Sequence, residues 1–160
     1  MAVVGPGEGA TADVIDDARA VGRLVASRGW ITLTGGRALG VMAAAIDGAA
    51  SAAGVTVALL PGVDRADAAP GATVAIATGL GEARDAVLVT AADAVIGCGV
   101  SPGTVAELAL AIRGHRPTVL VRPTPATAAL LRELSAGAVG VVATAADAVA
   151  WLAQAVGAAR

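Results

Sequence analysis

Lysine, phenylalanine and tyrosine are absent from this chain, and cysteine and histidine occur once each. Each absence removes a class of chemistry. Without lysine no Schiff base can form, so a pyridoxal-phosphate enzyme is excluded, and the Walker A loop loses its cation. One cysteine cannot close an internal disulfide. One cysteine and one histidine are too few nitrogen and sulfur ligands for a structural zinc site. The only aromatics are Trp30 and Trp151, no basic run occurs and the net charge is -2. A nucleic-acid surface needs a basic face and stacking rings, so that partner is not expected. No stretch of 18 apolar residues runs free of glycine, proline or charge, so no membrane span is expected. The opening MAVVGPGEG has neither a cationic start nor a long apolar core, unlike a signal peptide. The expected compartment is the cytoplasm.

What is present is small and apolar. Hydrophobic residues make up 56% and charged residues 15%, which excludes disorder; alanine and valine supply much of the total. A chain of 160 residues fits one domain, 1–160. Short β-branched runs alternate with alanine-rich helical runs. Strands are expected at Ala2–Val4, Trp30–Thr34, Val55–Leu60, Thr73–Ala77, Ala94–Cys98, Thr118–Val121 and Val139–Val142. Helices are expected at Ala12–Arg28, Gly40–Ala53, Glu82–Ala91, Thr104–Arg113, Pro125–Ser135 and Ala145–Ala158. This is an α/β pattern: a three-layer, doubly wound parallel sheet of about seven strands with helices on both faces. The strands read as continuous apolar runs, as they should when both faces are covered. One crossover, PGVDRADAAPGA after Leu60, is too rich in proline, glycine and charge for a helix. It implies either an irregular sheet or a loop reaching over the site.

Ligands of such sheets sit beyond the carboxyl ends of the strands, where glycine lets backbone approach and helix N-termini offer N–H groups. Four loops qualify. The first, Gly5-Pro6-Gly7-Glu8-Gly9-Ala10, fits G-x-G-x-x-A. NAD is nonetheless disfavoured, because the second strand ends Thr34-Gly35 rather than on a ribose-binding acid. Glu8, Asp13, Asp16 and Asp17 also crowd the following helix and would repel phosphate, with Thr11 as a plain N-cap. The second loop, Thr34-Gly35-Gly36-Arg37-Ala38-Leu39-Gly40, contains no acid, and Arg37 can neutralise an anion. The third is Thr78-Gly79 leading to Arg84, whose guanidinium fork suits phosphate or carboxylate unless it merely pairs with Glu82 and Asp85 at the surface. The fourth runs from Gly99 through Ser101, Pro102, Gly103 and Thr104 to Glu107. Pro102 after Ser101 marks a helix start. Thr104-x-x-Glu107 also fits a capping box, so Glu107 is either a helix cap or a carboxylate at the mouth of a site. Cys98 reads as a small core residue, His115 as a helix-end cation and Asp93 as a turn cap.

Taken together, Gly35-Gly36-x-x-x-Gly40-Val41-Met42, Pro61-Gly62, Thr78-Gly79 with Arg84, and Gly103-Thr104-x-x-Glu107 resemble the Lonely Guy superfamily, once described as possible lysine decarboxylases. The resemblance implies a Rossmann-like fold, a homodimer or higher homo-oligomer, and a site for a small phosphorylated ligand. The loop chemistry and the resemblance together give the ligand-binding role to Gly5, Gly7, Thr34, Gly35, Gly36, Arg37, Gly40, Met42, Thr78, Gly79, Arg84, Gly99, Ser101, Gly103, Thr104 and Glu107. The family's enzymes hydrolyse the N-glycosidic bond of nucleoside 5′-monophosphates; in that case Glu107 and Arg84 would be catalytic. The family motif is Pro-Gly-Gly-x-Gly-Thr-x-x-Glu preceded by Arg-Lys. Here Val100-Ser101 replaces the glycine pair, Gly99 replaces the proline and Asp85 follows Arg84. The compact length looks more like the molybdenum-cofactor carrier branch, which binds an anionic pterin without chemistry. A binding or carrier protein for a nucleotide-like or pterin ligand, with no covalent cofactor, is therefore the preferred expectation, and the phosphoribohydrolase the alternative.

Overall fold

A computed structural model describes residues 1–158. The strands are β1 (Ala2–Val4), β2 (Thr32–Thr34), β3 (Thr56–Leu60), β4 (Val74–Ala77), β5 (Val95–Cys98), β6 (Thr118–Val121) and β7 (Gly140–Val142). The helices are α1 (Ala12–Ser27), α2 (Gly40–Ser51), α3 (Arg84–Ala91), α4 (Pro102–Arg113), α5 (Pro125–Leu134) and α6 (Ala145–Ala158). All seven strands pair in parallel in the order β4-β3-β2-β1-β5-β6-β7. The expected doubly wound, three-layer α/β sheet is what forms. Chain order reverses between β1 and β5, so the loops that follow these two strands part there and leave a crevice.

Successive strand residues point to opposite faces. Val3, Ile96 and Val119 pack with Val21, Ala45 and Leu152 under α1, α2 and α6. Val4, Val95 and Leu120 pack with Leu88, Leu108 and Leu131 under α3, α4 and α5. Cys98 is buried, and burial pushes its thiol up to about 12, as a core residue requires. Several elements are shorter than expected. β2 begins at Thr32 rather than Trp30, and a 3-10 turn at Gly81–Ala83 precedes α3, because Gly79 and Gly81 take positive φ (66° and 56°).

The crossover between β3 and β4 contains only a 3-10 turn, Arg65–Asp67, with the Asp64 carboxylate accepting from the Ala66 N–H at 2.8 Å. β3 and β4 keep an unbroken register from Val57↔Val74 to Leu60↔Ala77, so the sheet is regular. The loop instead reaches the glycine turn after β2. The Ala69 N–H donates to the Gly36 carbonyl at 2.7 Å, and Ala68 bridges Arg37.

The closest packing is between α1 and α2. A Cβ on Gly22 would strike the Ala45 carbonyl oxygen, and one on Gly48 would strike the Arg19 carbonyl oxygen. The two glycines thus let each helix rest on the other's backbone. The small residues of α2, including Ala44, Ala45 and Ala49, are spent on this contact and on the sheet. Gly22→Ala is expected to destabilise the fold by roughly 1–3 kcal/mol, because the obstacle is backbone and cannot swing aside. Gly157→Ala in α6, where a Cβ meets nothing within 4 Å, should leave the melting temperature unchanged or raise it. Thermal unfolding of the two variants checks the contrast.

Candidate functional site

A cavity of about 320 Å³ opens at the reversal point between β1 and β5. Gly5, Gly7 and Glu8 line it from the loop after β1; Gly35, Arg37 and Leu39 from the loop after β2, with Met42 in α2. Glu82, Arg84 and Asp85 close one wall, and Ser101, Gly103, Thr104 and Glu107 of α4 the other. Of the residues expected to bind ligand, these loops bring Gly5, Gly7, Gly35, Arg37, Met42, Arg84, Ser101, Gly103, Thr104 and Glu107 together.

The remaining expected residues lie behind the wall. The Thr34 hydroxyl is buried and accepts from the Gly36 N–H at 3.0 Å. Gly36 (φ 78°) lies against Ala58, and Gly40 (φ 52°) against the backbone of Pro6 and Gly7. The Thr78 hydroxyl donates to the Leu60 carbonyl at 2.8 Å, and the Gly79 N–H to the Gly62 carbonyl at 2.9 Å; both shape the turn that delivers Arg84. Gly99 faces a different hollow, beside Pro6 and Val14. Glu8, Glu82 and Asp85, read as neighbours or dipole partners in the sequence, line the cavity with them.

The first loop needs correction. Its following acids do not crowd the cavity. Asp17 pairs with Arg122 at 2.7 Å and Asp16 with Arg19 at 3.0 Å, on the outside of α1. Thr11 stands at the N-cap but makes no side-chain capping bond. Of the four acids, only Glu8 faces the site.

The capping-box reading of Glu107 also fails. Ser101 is extended (φ -151°, ψ 169°) and its Oγ accepts from the Thr104 N–H at 3.2 Å. Pro102 takes the first helical position, where its missing N–H costs nothing. The helix therefore begins two residues earlier than expected, and Glu107 is one turn inside it, facing the cavity. The Gly103 N–H, in that first turn, has no intrahelical acceptor.

Arg84 is the centre of the site. It is 8% exposed rather than on the surface. A Cβ at Gly35 would overlap the guanidinium, so the bare Cα is the bed on which it lies. Nη1 is 3.1 Å from Asp85 Oδ1 and 3.6 Å from Glu107 Oε1. Neither contact has hydrogen-bond geometry: Arg84 Nε and Nη1 and Asp85 Oδ1 are buried without a partner. Such groups are costly unless something satisfies them. Burial pushes the Glu107 carboxyl up to about 8; Asp85 adds to the rise and Arg84 opposes it. Asp85 is raised as well, chiefly by burial. Among the described residues, no group of histidine, cysteine or carboxylate side chains could hold a metal ion. His115 lines an apolar hollow with Trp151, and Asp93 another with Met1 and Trp30.

Glu107 gives a pH signature. Its folded value near 8 lies above the ordinary 4.5, so the folded state holds the proton more tightly than the unfolded chain. This contribution is complete below the unfolded value and is lost as pH rises through 8. Glu107→Gln should therefore raise the stability at pH 9 relative to pH 5 when each is compared with the parent chain, by roughly 2–4 kcal/mol. Urea unfolding at the two pH values checks it.

Comparison with known proteins agrees with this architecture. A structure of the molybdenum cofactor binding protein from Rippkaea orientalis superposes with a TM-score of 0.94 at 35% identity, covering 97% of this chain and 95% of that one. A structure of the Moco carrier protein from Chlamydomonas reinhardtii gives 0.92 at 38% identity, covering 99% and 97%. An uncharacterised protein of Archaeoglobus fulgidus is 35% identical over 123 residues, 77% of this chain and 80% of its own length. The model of the SLOG cluster4 family matches residues 1–151, and the chain belongs to that family.

Proposed function

We propose that this chain is a binding and carrier protein for an anionic pterin ligand of the molybdenum-cofactor type, held in the cavity around Arg84. The observation that carries the reading is the guanidinium itself. It is buried, lies on Gly35, has two unpartnered nitrogens and lines the crevice at the sheet's reversal point. A phosphate or oxyanion oxygen would satisfy those nitrogens, with the Gly103 N–H and Arg37 as further donors. Arg37 has no ion-pair partner among the described residues. The molybdenum cofactor binding protein and the Moco carrier protein, 35% and 38% identical to this chain, support the cargo's class.

The alternative, hydrolysis of a nucleoside monophosphate, is favoured by one observation: a Glu107 carboxyl that keeps its proton near neutral pH could serve as a general acid. Release of free base from adenosine or guanosine monophosphate would establish that activity.

No helix among the described residues is long and apolar enough to cross a membrane. Self-association is part of the proposal. Val74 and Ile76 of the edge strand β4 are 43% and 44% exposed, and Val87 of α3 42%. A second copy would cover these exposed apolar side chains. Sedimentation of the parent chain and of a Val74→Asp, Ile76→Asp double variant tests this: the parent should run above 15.2 kDa and the variant at the monomer mass.

The carrier reading is tested by incubating the purified chain, under exclusion of oxygen, with molybdenum cofactor released from a molybdoenzyme. A stoichiometric amount of pterin should co-elute with the protein on gel filtration, and Arg84→Gln should weaken retention at least about thirtyfold. Arg37→Ala, which removes an exposed donor, should weaken it only several-fold. Absence of pterin from the parent fraction would overturn the reading.

A further inference from the structure

The cavity has a charge imbalance. Arg37 and Arg84 line it against Glu8, Glu82, Asp85 and Glu107, so with every group ionised two cations face four carboxylates. Such an excess of carboxylates weakens the hold on an anion unless the imbalance is relieved. Three of the carboxylates are poorly placed to relieve it. Glu8 and Glu82 are exposed and already screened by water. Asp85 lies 3.1 Å from Arg84 Nη1 and offsets its charge. Glu107 is the remaining one: buried, 3.6 Å from the same nitrogen, and lining the cavity on the same helix as Gly103.

Resting on the carrier reading, we infer that the site is proton-coupled: the anion binds only when Glu107 carries a proton, and ionisation of Glu107 expels it. The protonated carboxyl has two effects at once. It removes one negative charge from the wall, and it turns an acceptor that would compete for Arg84 into an O–H donor on the cavity wall. Arg84 Nε and Nη1 are then free to pair with the ligand. When Glu107 loses its proton to solvent, the carboxylate draws on Arg84 and repels the anion. The elevated affinity of Glu107 for its proton puts the change just above neutral pH. No metal and no movement of the backbone is required.

Molybdate serves as the probe, since it remains a dianion across the range and reports the anion subsite without the pterin. Its dissociation constant, by calorimetry, should be flat below about pH 7 and then weaken, approaching tenfold per pH unit above pH 8. At pH 9 the binding heat should vary with the ionisation enthalpy of the buffer, with close to one proton taken up per anion. Glu107→Gln should bind at pH 9 nearly as well as at pH 7, with no proton uptake. A flat profile in the parent chain, or uptake that persists in Glu107→Gln, overturns the inference. Loss of the pH slope in Asp85→Asn but not in Glu107→Gln overturns the assignment to Glu107. If Glu107→Gln fails to fold, the buffer dependence of the parent chain still decides whether binding takes up a proton. Failure of molybdate, phosphate and the pterin cofactor to bind at any pH between about 6 and 9 would instead remove the carrier reading on which the inference rests.

Discussion

Contact between backbones, permitted by missing side chains, is the constraint on which this molecule depends. Gly22 and Gly48 let α1 and α2 rest on one another's carbonyls. Gly5 lets the turn after β1 lie against the end of β5, where a Cβ would meet the Cys98 carbonyl. Gly35 makes the bed for Arg84. A chain this poor in aromatics cannot fill wide gaps between layers, so it closes them instead. The crevice at the sheet's reversal point is the space that this closure leaves, and its walls are loops that run from the end of a short strand to the start of a helix.

The electrostatics of the crevice follow from that economy. Arg84 is brought inside because Gly35 leaves room for it, and Asp85 and Glu107 come inside because Arg84 is there. None of the three is satisfied by hydrogen bonds from the others. Such an arrangement is poor as a stabilising ion network. It suits the proposed receptor, whose donors are held ready and whose Glu107 carboxyl keeps its proton through burial. On the proposed reading, binding and pH response are two properties of one buried cluster rather than separate devices.

Most of the fold was legible in the sequence because its signals are local. Continuous valine and isoleucine runs mark doubly covered strands, Pro102 after Ser101 marks a helix start, and proline with charge marks the helix-free crossover. The glycine loops at the site were legible for the same reason. What was not legible depended on distances between loops. Thr104-x-x-Glu107 matches a capping box letter for letter, yet Ser101 takes the cap and frees Glu107. The acids after the first loop look hostile to an anion, but α1 carries Asp16 and Asp17 outward to arginines. For Asp85 no local signal was available, because adjacent residues of a helix do not as a rule face each other.

Gly35 and Arg84 are separated by almost 50 positions and share one volume. Any side chain at 35 evicts the guanidinium, and any short residue at 84 leaves a hole over bare backbone with two acids beside it. Neither position can drift alone. On the proposed reading the two positions are coupled, so a chain that gives up the ligand is released at both and a chain that keeps it is held at both.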